Sequence, residues 1–188
     1  MPQTLRVISG EFKGRRLAGP SWEGLRPTSD RLRETLFNIL APEIVGARVL
    51  DGFAGTGAIG IEALSRGAAR VTFVEQDPRA LRLIEENLAR LPLDADRYTV
   101  VRADLVSGTG AVPGPFDVVI LDPPYAVSPA SALASTAGLV AEQGCLVLEH
   151  ARRTGTPAAT APLAKVRVVN SGDSALTIYR RTRGPVNS

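Results

Sequence analysis

The stretch Val49-Leu50-Asp51-Gly52-Phe53-Ala54-Gly55-Thr56-Gly57-Ala58-Ile59-Gly60-Ile61-Glu62-Ala63-Leu64 predicts a short buried strand, a glycine-rich turn and the start of a helix. Its three glycines Gly55, Gly57 and Gly60 have the spacing that lets a backbone pass close to a bound nucleotide. Asp51 stands at the end of the strand, where open α/β sheets bind their ligands. A simple strand-to-helix packing corner has the same pattern, so the rest of the chain must decide between the two.

Apolar strand-like segments alternate with helical ones on both sides of this turn. We predict strands at 48–51, 71–75, 98–104, 116–122 and 145–150, and helices at 58–66, after Asp77-Pro78 and at 129–142. Near-continuous apolar strands that alternate with helices indicate a parallel sheet covered on both faces. The segments 165–170 and 175–181 predict a closing antiparallel hairpin. A closing hairpin after the fifth parallel strand of an α/β chain is typical of class I methyltransferases, which have a Rossmann-like fold. It distinguishes that fold from a nicotinamide-binding domain.

The chain ahead of the sheet is predicted to form a small extension. Residues 5–17 predict a β-hairpin with a glycine-flanked turn, and residues 19–28 predict a loop. A helix is predicted at 29–40, with Pro42 just beyond its end. We therefore divide the chain into a basic N-terminal hairpin and loop at 1–27, taken as an RNA-binding extension, and a methyltransferase domain at 28–188.

The composition predicts one ordinary domain with a basic face. The 188 residues are 44% hydrophobic, which is enough for a core. Lys and Arg exceed Asp and Glu by seven to four in residues 1–40 and by seven to one in 151–188, whereas residues 41–150 carry eight against fourteen. Basic termini around an acidic centre favour a nucleic-acid partner.

The scarce residue types exclude several classes of protein. The single cysteine, Cys145, lies in an apolar run and excludes an intramolecular disulfide framework. The single histidine, His150, has no cluster of Cys or His around it, so we expect no metal site. The sequence has neither a signal peptide nor an apolar run of membrane-spanning length. We expect a soluble, cytoplasmic protein that works as a monomer and does not bind membranes.

Four acids end four of the predicted strands: Asp51, Glu75, Asp104 and Asp122. In a parallel sheet all four lie along one edge and line one crevice. Glu75 follows Gly55 by 20 residues, where a carboxylate can bind both hydroxyls of a ribose. Asp104 suits an adenine amine, and Asp51 with the glycine turn suits the amino-acid part of S-adenosylmethionine. The predicted cofactor-binding residues are Asp51, Ala54, Gly55, Thr56, Gly57, Glu75 and Asp104.

The motif Asp122-Pro123-Pro124-Tyr125 supplies the predicted catalytic residues. Two consecutive prolines fix φ and remove two backbone donors, which leaves rigid carbonyl groups. A carboxylate beside a proline carbonyl can hold both N–H groups of an exocyclic amine, so that its lone pair turns toward an electrophilic methyl group. Tyr125 offers a flat face on which a flipped base can stack.

At this point the chain resembles the bacterial small-subunit ribosomal RNA guanine-N2 methyltransferases, from about residue 6 to residue 180. The most specific matching segments are Arg26-Pro27-Thr28 with the helix that follows it, and Ser65-Arg66-Gly67-Ala68. The other matches are Arg6-Val7-Ile8-Ser9-Gly10, Lys13-Gly14-Arg15, Asp51 through Leu64, Val74-Glu75 and Asp122-Pro123-Pro124-Tyr125. Gly52 departs from the family, which usually has a bulky apolar residue there.

The resemblance implies methyl transfer from S-adenosylmethionine to the N2 amine of one guanine in 16S ribosomal RNA, on the assembling small subunit. The basic extension and the arginines of the following helix would then bind RNA phosphates. The candidates are Lys13, Arg15, Arg26, Arg31 and Arg33. An adenine-N6 methyltransferase remains the alternative, since the same motif presents an adenine amine equally well. Less favoured alternatives are an RNA chaperone that binds the cofactor without turnover and a nicotinamide oxidoreductase.

Overall fold

A seven-stranded sheet with the strand order β3-β2-β1-β4-β5-β7-β6 organises the molecule. The computed structural model describes residues 5–25 and 28–182. The elements in chain order are α1 (Asp30–Ile44), β1 (Arg48–Gly52), α2 (Ala58–Ser65), β2 (Arg70–Glu75), α3 (Pro78–Ala89), β3 (Tyr98–Arg102), β4 (Phe116–Leu121), α4 (Pro129–Thr136), β5 (Val140–Ala151), β6 (Leu163–Ser171) and β7 (Ser174–Arg181).

The sheet combines a parallel part with an antiparallel end. Strands β1 to β5 pair in parallel, and β7 pairs antiparallel with both β5 and β6. The predicted closing hairpin is therefore confirmed, with its second strand placed inside the sheet. Because the strand order reverses between β1 and β4, the ends of these two strands border the crevice in which α/β sheets bind ligands.

Alternation along the strands sends side chains to two separate cores, as a sheet covered on both faces requires. Val49, Ile120 and Val147 lie in the core that includes residues of α1, α2 and α3. Leu50 and Leu121 lie in the core that α4 covers. Asp51 and Asp122 continue the first set, so their positions belong to the face covered by α1 and α2.

Gly52 ends β1 at a crowded place. A Cβ atom on Gly52 would lie 2.6 Å from Leu121 Cδ2 and 2.9 Å from Leu105 Cδ1. These two leucines therefore occupy the space that a side chain at position 52 would need.

The predicted N-terminal hairpin is not present. Residues 5–17 form a loop with one isolated antiparallel bridge, between Arg6 and Arg16. Three backbone hydrogen bonds accompany this bridge, from the N–H groups of Leu17, Val7 and Gly14 to the carbonyls of Leu5, Arg15 and Val7 at 2.8, 3.0 and 2.9 Å. The pairing goes no further because α2 binds the backbone N–H groups that follow Val7. Glu62 accepts from the N–H groups of Ile8 and Ser9, at 2.7 and 3.0 Å, and Ser65 Oγ accepts from the N–H of Phe12 at 2.9 Å. The four apolar side chains Leu5, Val7, Phe12 and Leu17 are buried in the core on the α2 side of the sheet.

Two helix ends differ from their predictions. Helix α1 extends to Ile44 and includes Pro42, because the last turn buries Ile44 against the core. Helix α4 stops at Thr136, where a short 3-10 turn leads directly into β5 at Val140. The start of α3 is as predicted: Asp77 is the N-cap, and its side chain accepts from the N–H of Arg79 at 2.8 Å.

The described residues contain neither a membrane-spanning helix nor a metal-binding cluster. No helix within residues 5–25 and 28–182 is both long and apolar enough to cross a membrane. In the same two ranges, no group of three or more His, Cys, Asp or Glu side chains is arranged to hold a metal ion.

Candidate active site

Asp51 lies under the glycine turn between β1 and α2 and hydrogen-bonds to the first turn of α2. This carboxyl is 1% exposed, and its Oδ2 accepts from the N–H of Gly60 at 2.8 Å. Burial raises the pKa of Asp51 well above its usual value, against the lowering effect of this hydrogen bond. Gly57 has φ of 76°, a left-handed conformation that favours glycine, and it begins α2. The turn therefore presents backbone rather than side chains to the crevice.

Glu75, at the end of β2, lies beside this turn. Its Oε2 accepts from the N–H of Gly55 at 2.9 Å, and its Oε1 accepts from the N–H groups of Gln76 and Asp77 at 2.8 and 3.0 Å. These bonds hold an acceptor carboxylate at the mouth of the crevice, where a ribose hydroxyl can donate to it. Ala54 and Thr56 belong to the same turn, and the N–H of Ala54 donates to the carbonyl of Val74 at 3.0 Å.

Asp104 follows β3 and is bound within its own turn. Its Oδ2 accepts from the hydroxyl of Ser107 at 2.6 Å, and its Oδ1 accepts from the N–H of Val106 at 2.9 Å. The Ser107 hydroxyl, with the Val106 N–H, lowers the pKa of Asp104 below its usual value. The acid is thus ionised and stands beyond the end of β3, one strand further out than Glu75.

The loop ahead of α1 covers part of the glycine turn. A Cβ atom on Gly55 would lie 3.0 Å from Leu25 Cδ1, so this leucine contacts the turn. The ring of Trp22 lies 5.2 Å from the guanidinium carbon of Arg79, and Arg79 pairs with Asp77 at 2.8 Å. No local pattern in the sequence pairs Trp22 with Arg79, which follows the Asp77-Pro78 cap.

Asp122 ends β4 and is held by Thr28, the residue two positions before α1. The Thr28 hydroxyl donates to Asp122 Oδ2. Burial, together with the nearby charge of Glu149, raises the pKa of Asp122 to about 7. The carbonyl of Pro124 accepts from the N–H of Val127 at 2.8 Å, which closes a turn after the motif. The Pro123 carbonyl has no such donor within the described ranges.

Tyr125 completes the motif as an open aromatic surface. Its side chain belongs to a residue that is 86% exposed, in a protein whose other tyrosines are half-buried or buried. An exposed ring next to two hydrogen-bond acceptors is the arrangement that base-stacking sites use. The structure therefore brings the acceptor pair and the stacking surface together on one loop.

Glu149 is a site residue that sequence reasoning missed. It lies on β5, where Leu121 and Leu148 are register partners, so Asp122 and Glu149 are the next pair along. The two residues line the same pocket, and the charge of Glu149 adds to burial in raising the pKa of Asp122. The signal was available, because Glu149 is an acid that directly follows the apolar run of a parallel strand, although β5 itself continues to Ala151. The prediction overlooked it because the strand appeared to continue to His150.

The predicted RNA-binding side chains fall into two groups. Lys13, Arg15 and Arg31 are exposed. Arg33 differs from the expectation: it is fully buried, and its Nη2 donates to the carbonyl of Arg6 at 2.8 Å and to Asp30 at 2.6 Å. A buried guanidinium that ties α1 to the N-terminal loop does not contact phosphates in this structure. Arg26 lies outside the described residues.

Comparison with known proteins gives one family. The family model described as Conserved hypothetical protein 95 matches residues 5–180. The chain is 38% identical over 180 residues to the ribosomal RNA small subunit methyltransferase D of Escherichia coli K12, with 94% of this chain and 90% of the relative covered. It is 44% identical over 124 residues to the protein of the same name from Haemophilus influenzae, with 64% of each chain covered.

Solved structures share the fold. The Escherichia coli protein yhhF has a TM-score of 0.81 and 34% identity, with 95% of this chain and 98% of that one covered. A magnesium protoporphyrin IX methyltransferase from Synechocystis PCC 6803, solved with bound SAH, has a TM-score of 0.61 at 16% identity over 80% of this chain and 82% of that one, which shows the fold alone.

The glycine turn over a buried acid and the Asp-Pro-Pro-Tyr loop thus stand in a chain whose length is matched almost throughout by one group of proteins. The chain belongs to the ribosomal RNA small subunit methyltransferase D family and is a methyltransferase.

Proposed function

We propose that this protein methylates the exocyclic N2 amine of one guanine in 16S ribosomal RNA, on the assembling small subunit in the cytoplasm. The similarity to the Escherichia coli methyltransferase supports the RNA class, since it extends over 94% of this chain. The observation that carries the chemistry is the loop of Asp122, Pro123 and Tyr125. It places a carboxylate, a free carbonyl group and an exposed ring next to one another.

Cofactor binding is assigned to the turn and the strand-end acids. The residues present fit S-adenosylmethionine: the turn has no side chain at Gly55 or Gly57, and Glu75 holds a carboxylate 2.9 Å from the Gly55 nitrogen. Glu75 would bind the ribose and Asp104 the adenine amine, and the turn above Asp51 would bind the amino-acid part. S-adenosylmethionine supplies an electrophilic methyl group when it is bound.

The protein's own contribution to the reaction is to orient the amine and accept a proton. Asp122 and the Pro123 carbonyl each accept one N–H of the amine, which aims the nitrogen lone pair, and Tyr125 stacks the base. A nitrogen–carbon bond forms as the carbon–sulfur bond breaks, and one proton leaves the amine. The Asp122 carboxylate is the nearest acceptor for that proton, with Thr28 holding its other side.

RNA binding is assigned to the N-terminal extension and to the start of α1. Lys13, Arg15 and Arg31 are exposed cations on these segments, and Arg26 completes the proposed set. The extension is predicted to work as an RNA-binding unit, residues 1–27, ahead of the catalytic domain. One copy of the chain holds every residue of the proposed site, so we expect a monomer.

The test is transfer of a tritium-labelled methyl group from S-adenosylmethionine. Unmethylated small subunits, naked 16S ribosomal RNA and duplex DNA are offered in parallel, and the labelled nucleosides are identified after digestion. We expect N2-methylguanosine from subunits. Label in N6-methyladenine would replace the proposed target by the adenine alternative, and cofactor binding without any label would favour a binding protein without turnover.

A further inference from the structure

The carboxyl groups of Asp122 and Glu149 lie beside the loop that is proposed to bind the target base. Asp122 and Glu149 project from neighbouring strands toward the face that α1 covers, and Thr28 lies beside them. These three side chains border an open surface pocket between α1 and the ends of β4 and β5. Its remaining wall is apolar: Leu32, Leu36, Ile59, Ile120, Leu121, Val147 and Leu176.

The Glu149 carboxyl is not used elsewhere. No ion pair to Glu149 occurs among residues 5–25 and 28–182, and its interaction there is with Asp122. Two neighbouring carboxyl groups repel each other when both are charged. A ligand that brings its own N–H groups to this place would offset that repulsion by donating to both oxygens.

Guanine has the matching edge. Its N1–H and its N2 amine are adjacent donors, so two neighbouring carboxyl groups can accept one hydrogen from each. Adenine and cytosine present an amine next to an unprotonated ring nitrogen, which is an acceptor. A carboxylate facing that nitrogen would bring two lone pairs together, and a buried charged acceptor without its donor is costly.

We propose that Glu149 is a specificity-determining residue, which accepts the N1–H of the target guanine while Asp122 accepts from its N2 amine. This inference rests on the proposed function and deepens it. It assigns the choice between guanine and adenine, for which the Asp-Pro-Pro-Tyr motif has no preference, to the next strand of the sheet.

The experiment is a double-mutant cycle that changes the side chain at position 149 and the N1 atom of the target base. Small subunits are reconstituted with 16S ribosomal RNA that carries either guanine or 2-aminopurine at the methylated position, once that position is mapped. 2-Aminopurine keeps the N2 amine but has an acceptor at N1. Single-turnover methylation is measured with the wild-type protein, with Glu149→Gln, and with Glu142→Gln as the control. Glu142 is an exposed glutamate at the other end of the same strand.

We expect the wild-type protein to methylate guanine at least about 10²-fold faster than 2-aminopurine. An amide at position 149 can donate to an unprotonated N1, so Glu149→Gln should reduce this ratio to less than about tenfold, and Glu142→Gln should leave it unchanged. The loss of the O6 atom is the same for all three proteins and cancels in the comparison.

Two results would overturn the inference while leaving the proposed function intact: a wild-type ratio near one, or an unchanged ratio in Glu149→Gln. A wild-type protein that does not methylate guanine subunits would overturn the proposed function and the inference with it. Glu149→Asp, which withdraws the charge by one methylene group, serves as a second variant. It should slow methylation of guanine without improving that of 2-aminopurine.

Discussion

Asp122 is the side chain on which turnover should depend most directly. Replacing Asp122 by Ala removes an acceptor of the amine but leaves the glycine turn and Glu75 in place. We expect kcat to fall by about 10²-fold or more, with the dissociation constant for S-adenosylmethionine within about twofold of the wild-type value. Single-turnover rates and calorimetry measure the two quantities. Asp117→Ala, on the same strand but bonded to the N–H of Arg48, is the control. Equal losses of rate and affinity would contradict the assignment.

The raised pKa of Asp122 predicts how stability depends on pH. The pKa is about 7 in the folded protein and about 3.9 in an unfolded chain, so between these values the folded state binds more protons. Stability from this group is therefore full below about pH 4 and is lost as the pH rises through 7.

Asp122→Asn provides a reference that stays uncharged. We expect the melting temperature of the wild-type protein to fall relative to this variant between pH 5 and pH 7.5, and the difference to become constant above that range. Titrating groups that do not interact with Asp122 are common to both proteins and cancel. A difference that does not change with pH would show that Asp122 ionises normally.

At the residue scale, the sequence predicted the acids that follow obvious strands and missed those whose partners are remote in the chain. Asp51 and Glu75 meet at the glycine turn as expected. The contact of Thr28 with Asp122 joins residues 94 positions apart, and no local pattern announces it. Arg33 was predicted on a solvent face because α1 was assigned one apolar stripe; the N-terminal loop covers the other side.

At the scale of elements, α2 holds the N-terminal loop through Glu62. This glutamate is fully buried, accepts from the N–H groups of Ile8 and Ser9, and pairs with Arg66 at 2.7 Å. Glu62→Ala leaves these donors without an acceptor, and we expect it to lower the free energy of unfolding by about 3 kcal/mol or more. Urea denaturation measures the loss.

Helix α3 offers a matched control for that change. Glu86 and Arg90 have the same spacing as Glu62 and Arg66, but Glu86 is 53% exposed in its side chain. Glu86→Ala should cost no more than about 0.5 kcal/mol, because an exposed ion pair contributes little. Similar losses for the two variants would mean that the N-terminal loop is not fastened by Glu62.

Helix α2 also packs closely on β2 at Gly60. A Cβ atom there would lie 2.3 Å from Phe73 Cε1, so Gly60→Ala must push the ring or the helix away. We expect a loss of about 1–3 kcal/mol in unfolding free energy, with weaker cofactor binding because the Gly60 N–H holds Asp51. Gly138→Ala, where nothing lies within 4 Å, should leave both unchanged. Thermal denaturation with and without S-adenosylmethionine measures both effects.

Elements with complete local signals were predicted well. The pair Asp77-Pro78 marked the start of α3, and the alternating segments at the end of the chain marked β6 and β7. The N-terminal hairpin was predicted wrongly, since Glu62 and Ser65 bind the backbone of that segment from another element. Strand β5 starts at Val140, earlier than predicted. The prediction missed its first residues because those before Gly144 include polar side chains and do not form an apolar run.

At the scale of the whole molecule, positive charge is concentrated away from the acids of the crevice. The double variant Lys13→Glu/Arg15→Glu should weaken binding to 16S ribosomal RNA and reduce the slope of log affinity against log salt by about 1–2, since each phosphate contact contributes about 0.7–0.9. Lys165→Glu/Arg167→Glu makes the same change of charge on β6, at the far edge of the sheet, and is the control.

Titrations at several salt concentrations measure this effect. Equal losses in the two double variants would indicate general attraction to a polyanion rather than a binding face on the N-terminal extension. The overall segregation of charge was readable from the sequence. Which cations share a surface was not, because that depends on how the loop packs on α2.

The position of β7 between β5 and β6 has a consequence for the synthesis of the chain. When β5 has left the ribosome, the edge that faces away from β4 has no neighbour. Strand β6 is translated next, but it pairs with β7 and not with β5. The 30 residues after Ala151, up to Arg181, take about 2–6 s to translate at about 5–20 residues per second, and during that time this edge of β5 is open. The sheet therefore closes after translation of β7, and a stalled or shortened product would expose a template for aggregation.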